Sequence, residues 1–178
     1  MAEIKYAAPK QCGLGKDSIY RLAESIRQQL AYTPGDDLDD LIEQLGGRIE
    51  YQDFWELESS ATGSIRIRSP NDFTIYLPSY TGVERDRFTI AHELGHFVLH
   101  YLYPRQSGND PGPVQAQRYG SGRVEWEANW FAAAFLMPEQ DFRTSFTKNA
   151  GDFLSVAEQF FVSSRAAQIR AKSLKLTT

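Results

Sequence analysis

Three residues of the run His92-Glu93-Leu94-Gly95-His96 have the types and spacing of a hydrolytic metal centre. On an α-helix four residues advance by about 400° and ~6 Å, so His92 and His96 project from one face, one turn apart. Two neutral imidazoles so placed can share one Zn²⁺ at about 2.0–2.1 Å, and a catalytic zinc site adds a third protein ligand and an open position. Glu93, beside the first ligand, is placed to act as general base on a water whose pKa the metal lowers towards about 7. All three histidines of the chain, at 92, 96 and 100, lie on this segment, which sets the pattern apart from a chance spacing on an amphipathic helix. Gly95 in mid-helix costs roughly 0.5–1 kcal/mol relative to Ala, and close approach of a second backbone is a physical reason for it.

The third ligand must come from elsewhere, and Glu125 and Glu127 are the candidates. Two helical residues differ by about 200° in direction, so only one of them can face the ion. Glu125 is preferred because it shares a stripe with Ala128, Asn129 and Ala132, small residues that admit a close second helix. Asn129, one turn on, can hold a ligand histidine by a hydrogen bond. Glu127 reads instead as a solvated helix-start glutamate favoured by the helix dipole. His100 stands ~12 Å along a continuous helix from His92, so it is expected to support the site rather than bind the ion, unless the helix breaks after His96.

These residues need a scaffold, and 178 residues with 42% hydrophobic content suffice for one domain with a true core. The 19 basic and 23 acidic residues leave a net charge of -4, with no general attraction to nucleic acid or anionic membrane. A single cysteine, Cys12, rules out an internal disulfide and a cysteine-rich zinc site. No apolar run approaches the ~20 residues of a membrane span, and no signal-peptide core is evident, so a cytoplasmic protein is expected.

In chain order, residues 1–16 read as a loosely held arm. A helix from Asp17 or Ser18 to Leu30 and a second from Asp36 to Leu45 carry apolar stripes, the latter ended by Gly46-Gly47. Arg48 to Phe54 alternates as a strand. Ser64–Arg68 and Phe73–Leu77 are expected to form a hairpin about Ser69-Pro70-Asn71-Asp72, with Ile65, Ile67, Phe73, Ile75 and Leu77 inward and Arg66, Arg68, Thr74 and Tyr76 outward. An open edge of that hairpin could pair with an extended substrate. The histidine helix is expected over residues 83–101, an irregular lid or disordered loop over 104–124, and a buried apolar helix over 123–137. Two short helices at about 152–175 resemble a helix-turn-helix with a basic end, Arg165, Arg170, Lys172 and Lys175. Packing on the domain or on a protein partner is the preferred role for them over DNA contact.

The run Arg87-Phe88-Thr89-Ile90-Ala91-His92-Glu93-Leu94-Gly95-His96-Phe97-Val98-Leu99-His100, with Glu125-Trp126-Glu127-Ala128-Asn129-Trp130-Phe131-Ala132 and Leu136-Met137-Pro138 after it, resembles the ImmA/IrrE-type metallopeptidases. The resemblance implies a zincin-like α+β fold with a small antiparallel sheet and an HExxH active-site helix. It also implies Zn²⁺ on His92, His96 and Glu125, and Glu93 as catalytic base. Members of that family are typically cytosolic regulatory proteases that cut a helix-turn-helix transcriptional repressor. A site-specific endopeptidase of one domain, 1–178, is therefore the expectation. The competing readings are a binding module stiffened by metal, a toxin-antitoxin component, and direct DNA binding. Structural zinc usually takes four protein ligands, and no fourth is evident here. None of the competing readings uses Glu93. Tyr76, Tyr101 and Tyr103 are candidate transition-state donors, although tyrosines more often serve packing. Oligomeric state is not legible.

Overall fold

The computed structural model describes residues 4–53, 64–117 and 120–177. The chain forms α1 (Lys16–Gln29), α2 (Leu38–Gln44), β1 (Gly47–Gln52), β2 (Ile65–Ser69), β3 (Asp72–Pro78) and α3 (Val83–Phe97). A π-helical turn (Val98–Leu102) follows, then α4 (Tyr103–Gln106), β4 (Val114–Ala116), α5 (Arg123–Leu136), α6 (Glu139–Lys148), α7 (Phe153–Phe160) and α8 (Ser164–Ser173). It is a mixed α+β structure with one small sheet in the order β1-β3-β2-β4.

The helix ends follow local chemistry. The Asp37 carboxylate caps α2 by accepting from the Asp39 amide, and Asp152 and Ser163 cap α7 and α8 in the same way. The strand expected to reach Phe54 ends at Gln52, and its last expected residue lies outside the described residues.

The hairpin forms, with Ile65 opposite Ile75 and Ile67 opposite Phe73. Its edges, however, are not open: β1 runs parallel along β3, and β4 runs antiparallel along β2. The expected substrate-accepting hairpin edge is thus corrected, and the reason lies in the 104–124 stretch. Its Gly/Pro-rich composition hides Val114 to Ala116, which join the sheet. Thr74 and Tyr76 are buried rather than outward: the Arg68 guanidinium reaches across to the Thr74 hydroxyl, and the Arg66 guanidinium lies over the Tyr76 ring.

The N-terminal arm is pinned, contrary to the sequence expectation. Ala7 donates to Pro113 O and accepts from Gln115 N, extending the sheet at β4, while the Tyr6 ring lies under the Arg66 guanidinium.

Helix α5 is central to the packing. It lies against both α1 and α3, and Phe131, Ala132, Ala134 and Phe135 are fully buried. Phe97 at the end of α3 stacks on Phe73 of β3 with ring centroids 4.3 Å apart, which fastens the histidine helix to the sheet. Burying an aromatic of this size from water stabilises by roughly 1.5–3 kcal/mol.

At the C-terminal end α7 and α8 meet at Phe161, which takes a left-handed conformation with φ 53°. Arg170 is fully buried, donates from Nε to Met137 O and lies over the Tyr20 ring at 4.5 Å. One of the four residues that made this end look basic therefore belongs to the core, and the packing role gains at the expense of DNA contact. Among the described residues no helix is long and apolar enough to cross a membrane.

Candidate metal centre

Helix α3 carries His92, Glu93 and His96, and the first turn of α5 carries Glu125. What brings the two helices together is Gly95. A Cβ there would stand 3.1 Å from Ala128 Cα and 3.1 Å from Ala128 O, so the helices touch backbone to backbone. Three ligand atoms then converge. His92 Nε2 lies 3.1 Å from Glu125 Oε2, His96 Nε2 lies 3.1 Å from His92 Nε2, and His96 Nε2 lies 3.4 Å from Glu125 Oε1. Donors at about 2.0–2.1 Å in a tetrahedron around one ion stand roughly 3.3 Å apart, so the set has the span of a zinc site.

The proton positions point the same way. The Nδ1 of His92 lies 3.0 Å from Asn129 Oδ1, an acceptor, so that nitrogen carries the proton and Nε2 is left with a lone pair. His96 Nδ1 lies 3.0 Å from His100 Nδ1, and His100 Nε2 lies 3.0 Å from Glu127 Oε2. The consistent assignment has His96 Nδ1–H donating to His100 and His100 Nε2–H donating to the Glu127 carboxylate, which again frees His96 Nε2. Two imidazole lone pairs and a carboxylate aimed at one point repel one another unless a cation or a proton sits among them. The residues present therefore fit a divalent metal.

The electrostatics agree. Burial raises the Glu125 carboxyl, but hydrogen bonds and charge from His92 and His96 outweigh it and hold the group well below the usual carboxylate range. Burial lowers His92, and the bond to Glu125, the charges of Glu93 and Glu125 and the bond to Asn129 overcome it to raise the ring above its ordinary 6.5. His100 is pushed down to about 4, by burial first and by His96 second, so it stays neutral. Burial pushes the Cys12 thiol up to about 11, with the nearby Glu127 charge adding to it, so the lone cysteine stays protonated.

Glu93 is 2% exposed, and its Oε2 has no hydrogen-bond partner among the described residues. A buried carboxylate oxygen so placed, next in sequence to His92 of the candidate trio, calls for a role.

Two features escape sequence reading. Glu127 is not a solvated helix-start residue, since its side chain is fully buried. It accepts from His100 and the Cys12 amide on Oε2 and from Arg123 Nε on Oε1, and these bonds hold it ionised against the penalty of burial. Gly120 is the other: a Cβ there would collide with the Glu125 carboxylate, so only a glycine lets that side chain lie where it does. Of the candidate tyrosines, Tyr101 and Tyr76 are buried, Tyr101 in the main apolar cluster. His100 lies within the π turn and outside the convergent trio, behind His96.

Next to the trio, past Asn129, an apolar groove of about 1000 Å³ opens between α3, α5 and α8, with Phe88, Trp126, Trp130 and Ile169 on its walls. Trp126 is 57% exposed there. None of the three candidate ligands lines that groove; it adjoins the site rather than containing it.

The family description for the IrrE N-terminal-like domain, peptidase family M78, matches residues 43–172. The chain belongs to this family. The match takes in α3, β4 and α5 and hence every residue of the candidate centre. No curated protein matches the chain. Among solved structures, a Mycobacterium tuberculosis transcriptional regulator is similar with a TM-score of 0.58 at 18% identity, over 87% of this chain and 47% of the other. The likeness is one of fold, and the chain spans about half the length of that neighbour.

Proposed function

We propose that this chain is a zinc-dependent, site-specific endopeptidase of the cytoplasm, a single zincin-like metallopeptidase domain built on an HExxH active-site helix. Its proposed target is a protein, a helix-turn-helix transcriptional repressor. The observation that carries the reading is the convergence of His92 Nε2, His96 Nε2 and a Glu125 oxygen within 4.8 Å of one another, with Glu93 buried next to His92 and its Oε2 unpartnered among the described residues. The repressor as target rests on family resemblance, and the similar fold of a protein described as a transcriptional regulator accords with it.

In this reading His92, His96 and Glu125 hold the zinc. Bound there, the ion would supply a Lewis acid that lowers the pKa of a water and polarises the scissile carbonyl. Glu93 takes the proton from the attacking water and returns it to the leaving amine. Its burial keeps the carboxylate out of bulk solvent, and its place on the rigid turn between the two histidines fixes its distance from them. Asn129 and His100 hold the two rings by their Nδ1–H groups. The groove flanked by Trp126 is placed to take apolar side chains next to the cleaved bond.

The test is Glu93→Gln, assayed on a repressor incubated with zinc-loaded protein. Cleavage is expected to fall roughly 10²- to 10⁴-fold with zinc still bound stoichiometrically. Undiminished cleavage would remove Glu93 from the mechanism. Glu125→Ala is expected to lower zinc content, as read by metal analysis.

A further inference from the structure

The candidate ligand His96 stands at one end of an unbroken chain of hydrogen bonds that finishes on the backbone of the N-terminal arm. His96 Nδ1 meets His100 Nδ1 at 3.0 Å, His100 Nε2 meets Glu127 Oε2 at 3.0 Å, and the Cys12 amide donates to the same Oε2 at 2.9 Å. A second tie runs alongside. Arg123 donates from Nε to Glu127 Oε1 at 3.0 Å and from Nη2 to Leu14 O at 2.8 Å. Glu127 and Arg123 therefore grip residues 12–14 by one backbone donor and one backbone acceptor, and the Ala7 bonds to β4 anchor the arm farther out.

We propose that the N-terminal arm is a positioning element of the metal centre: the Cys12 amide fixes the Glu127 carboxylate, and Glu127 fixes His100 in the tautomer that orients His96. The inference rests on the reading that His92, His96 and Glu125 hold zinc. The physical argument is directional. A carboxylate accepts only, so His100 must present Nε2–H to it and turn the Nδ1 lone pair towards His96. His96 must then carry its proton on Nδ1, which commits Nε2 to the metal. If the carboxylate rotates away, or becomes an amide able to donate, that chain of donors loses its direction. The Cys12 thiol also reaches the Glu127 carboxylate, but its bond is the weaker of the two that Cys12 supplies, and the backbone N–H carries the larger share. An arm displaced from Glu127 would thus loosen a ligand on another element, joining the fold's N-terminal segment to metal retention.

The experiment compares zinc affinity by chelator competition in the intact chain, Cys12→Ala, Cys12→Pro and Glu127→Gln. Proline removes the amide hydrogen and alanine keeps it. Affinity is expected to change about 3-fold at most in Cys12→Ala, which loses only the thiol contact, and to be about 10- to 100-fold weaker in Cys12→Pro and Glu127→Gln, the usual cost of losing a group that orients a metal ligand. A second readout is the imidazole nitrogen spectrum, which is simple with three histidines. In the intact protein His100 should report a proton on Nε2, and in Glu127→Gln that tautomer should lose its preference. Wild-type affinity and an unchanged His100 tautomer in Glu127→Gln would overturn the proposal even if Cys12→Pro did not fold. Equal losses in Cys12→Ala and Cys12→Pro would also overturn it, by assigning the effect to the thiol. If the intact chain itself bound no zinc, the metal reading would fail, an outcome distinct from equal binding by all four proteins.

Discussion

Gly95 of α3 and Ala128 of α5 meet with no side chain between them, a Cβ on the glycine falling 3.1 Å from Ala128 Cα. That contact sets the separation of the histidine helix from the helix that carries Glu125. Gly95→Val is therefore expected to force the helices apart, with an overpacking cost of about 1–3 kcal/mol. The check is thermal unfolding together with zinc titration, because the same displacement must widen the 3.1 Å between His92 Nε2 and Glu125 Oε2. Unaltered zinc affinity in a folded Gly95→Val protein would separate the helix contact from the site.

Gly120 offers a more local version of that experiment. A methyl group there collides with the Glu125 carboxylate rather than with packed backbone. Gly120→Ala should displace this one candidate ligand and weaken zinc binding by about 10-fold or more, with little change in the unfolding midpoint of the metal-free protein. Calorimetry of zinc binding alongside thermal melts would resolve the two effects.

The pH dependence follows from His92. Its folded-state value lies above the ordinary 6.5, so in the metal-free protein its protonated form adds stability that is fully present below 6.5 and is lost as pH rises through the raised value. Zinc requires the neutral ring, so apparent zinc affinity runs the other way and rises with pH over the same window. As pH rises from below 6.5 through the raised His92 value, the gap in melting temperature between zinc-loaded and metal-free protein should widen. Replacing His92 with Gln should flatten the metal-free half of that behaviour.

Trp126 follows Glu125 in sequence, lines the adjoining groove and is 57% exposed. If the groove holds substrate side chains equally in the bound and transition states, Trp126→Ala should raise KM roughly 10-fold and leave kcat nearly intact. Steady-state kinetics on a cleaved repressor would show it, and a fall in kcat alone would place Trp126 at the chemistry instead.

The helical and strand patterns of this chain were legible because they are periodic. The stripes of α1 and α2, the alternation of β2 and β3 and the apolar face of α5 all report their burial through spacing. The His92-Glu93-Leu94-Gly95-His96 run was legible for the same reason, since its partners lie one turn apart on one helix. Helix α6 went unread, although Glu139, Phe142 and Phe146 have helical spacing after Pro138.

Three other features had no local signal to read. β4 is three residues long and sits among prolines and glycines, so only its neighbour β2 makes it a strand. The pinning of the arm depends on main-chain donors and acceptors, which every sequence offers and none advertises. Glu125 and Glu127 carry the same side chain two residues apart; the small residues on its stripe favoured Glu125, but nothing local showed that Glu127 is buried rather than solvated. Their environments are tertiary facts. One points at the histidines where Gly120 leaves room, and the other is fully buried against His100, Arg123 and the Cys12 amide. By itself, then, the sequence determined the residue types of the candidate centre and the helix that presents two of its ligands, because those follow from composition and helical period. Where each carboxylate comes to rest, and which backbone holds the rest in line, was decided only by packing between segments 33 residues apart for His92 and Glu125 and 115 apart for Cys12 and Glu127, where short-range periodicity has no reach.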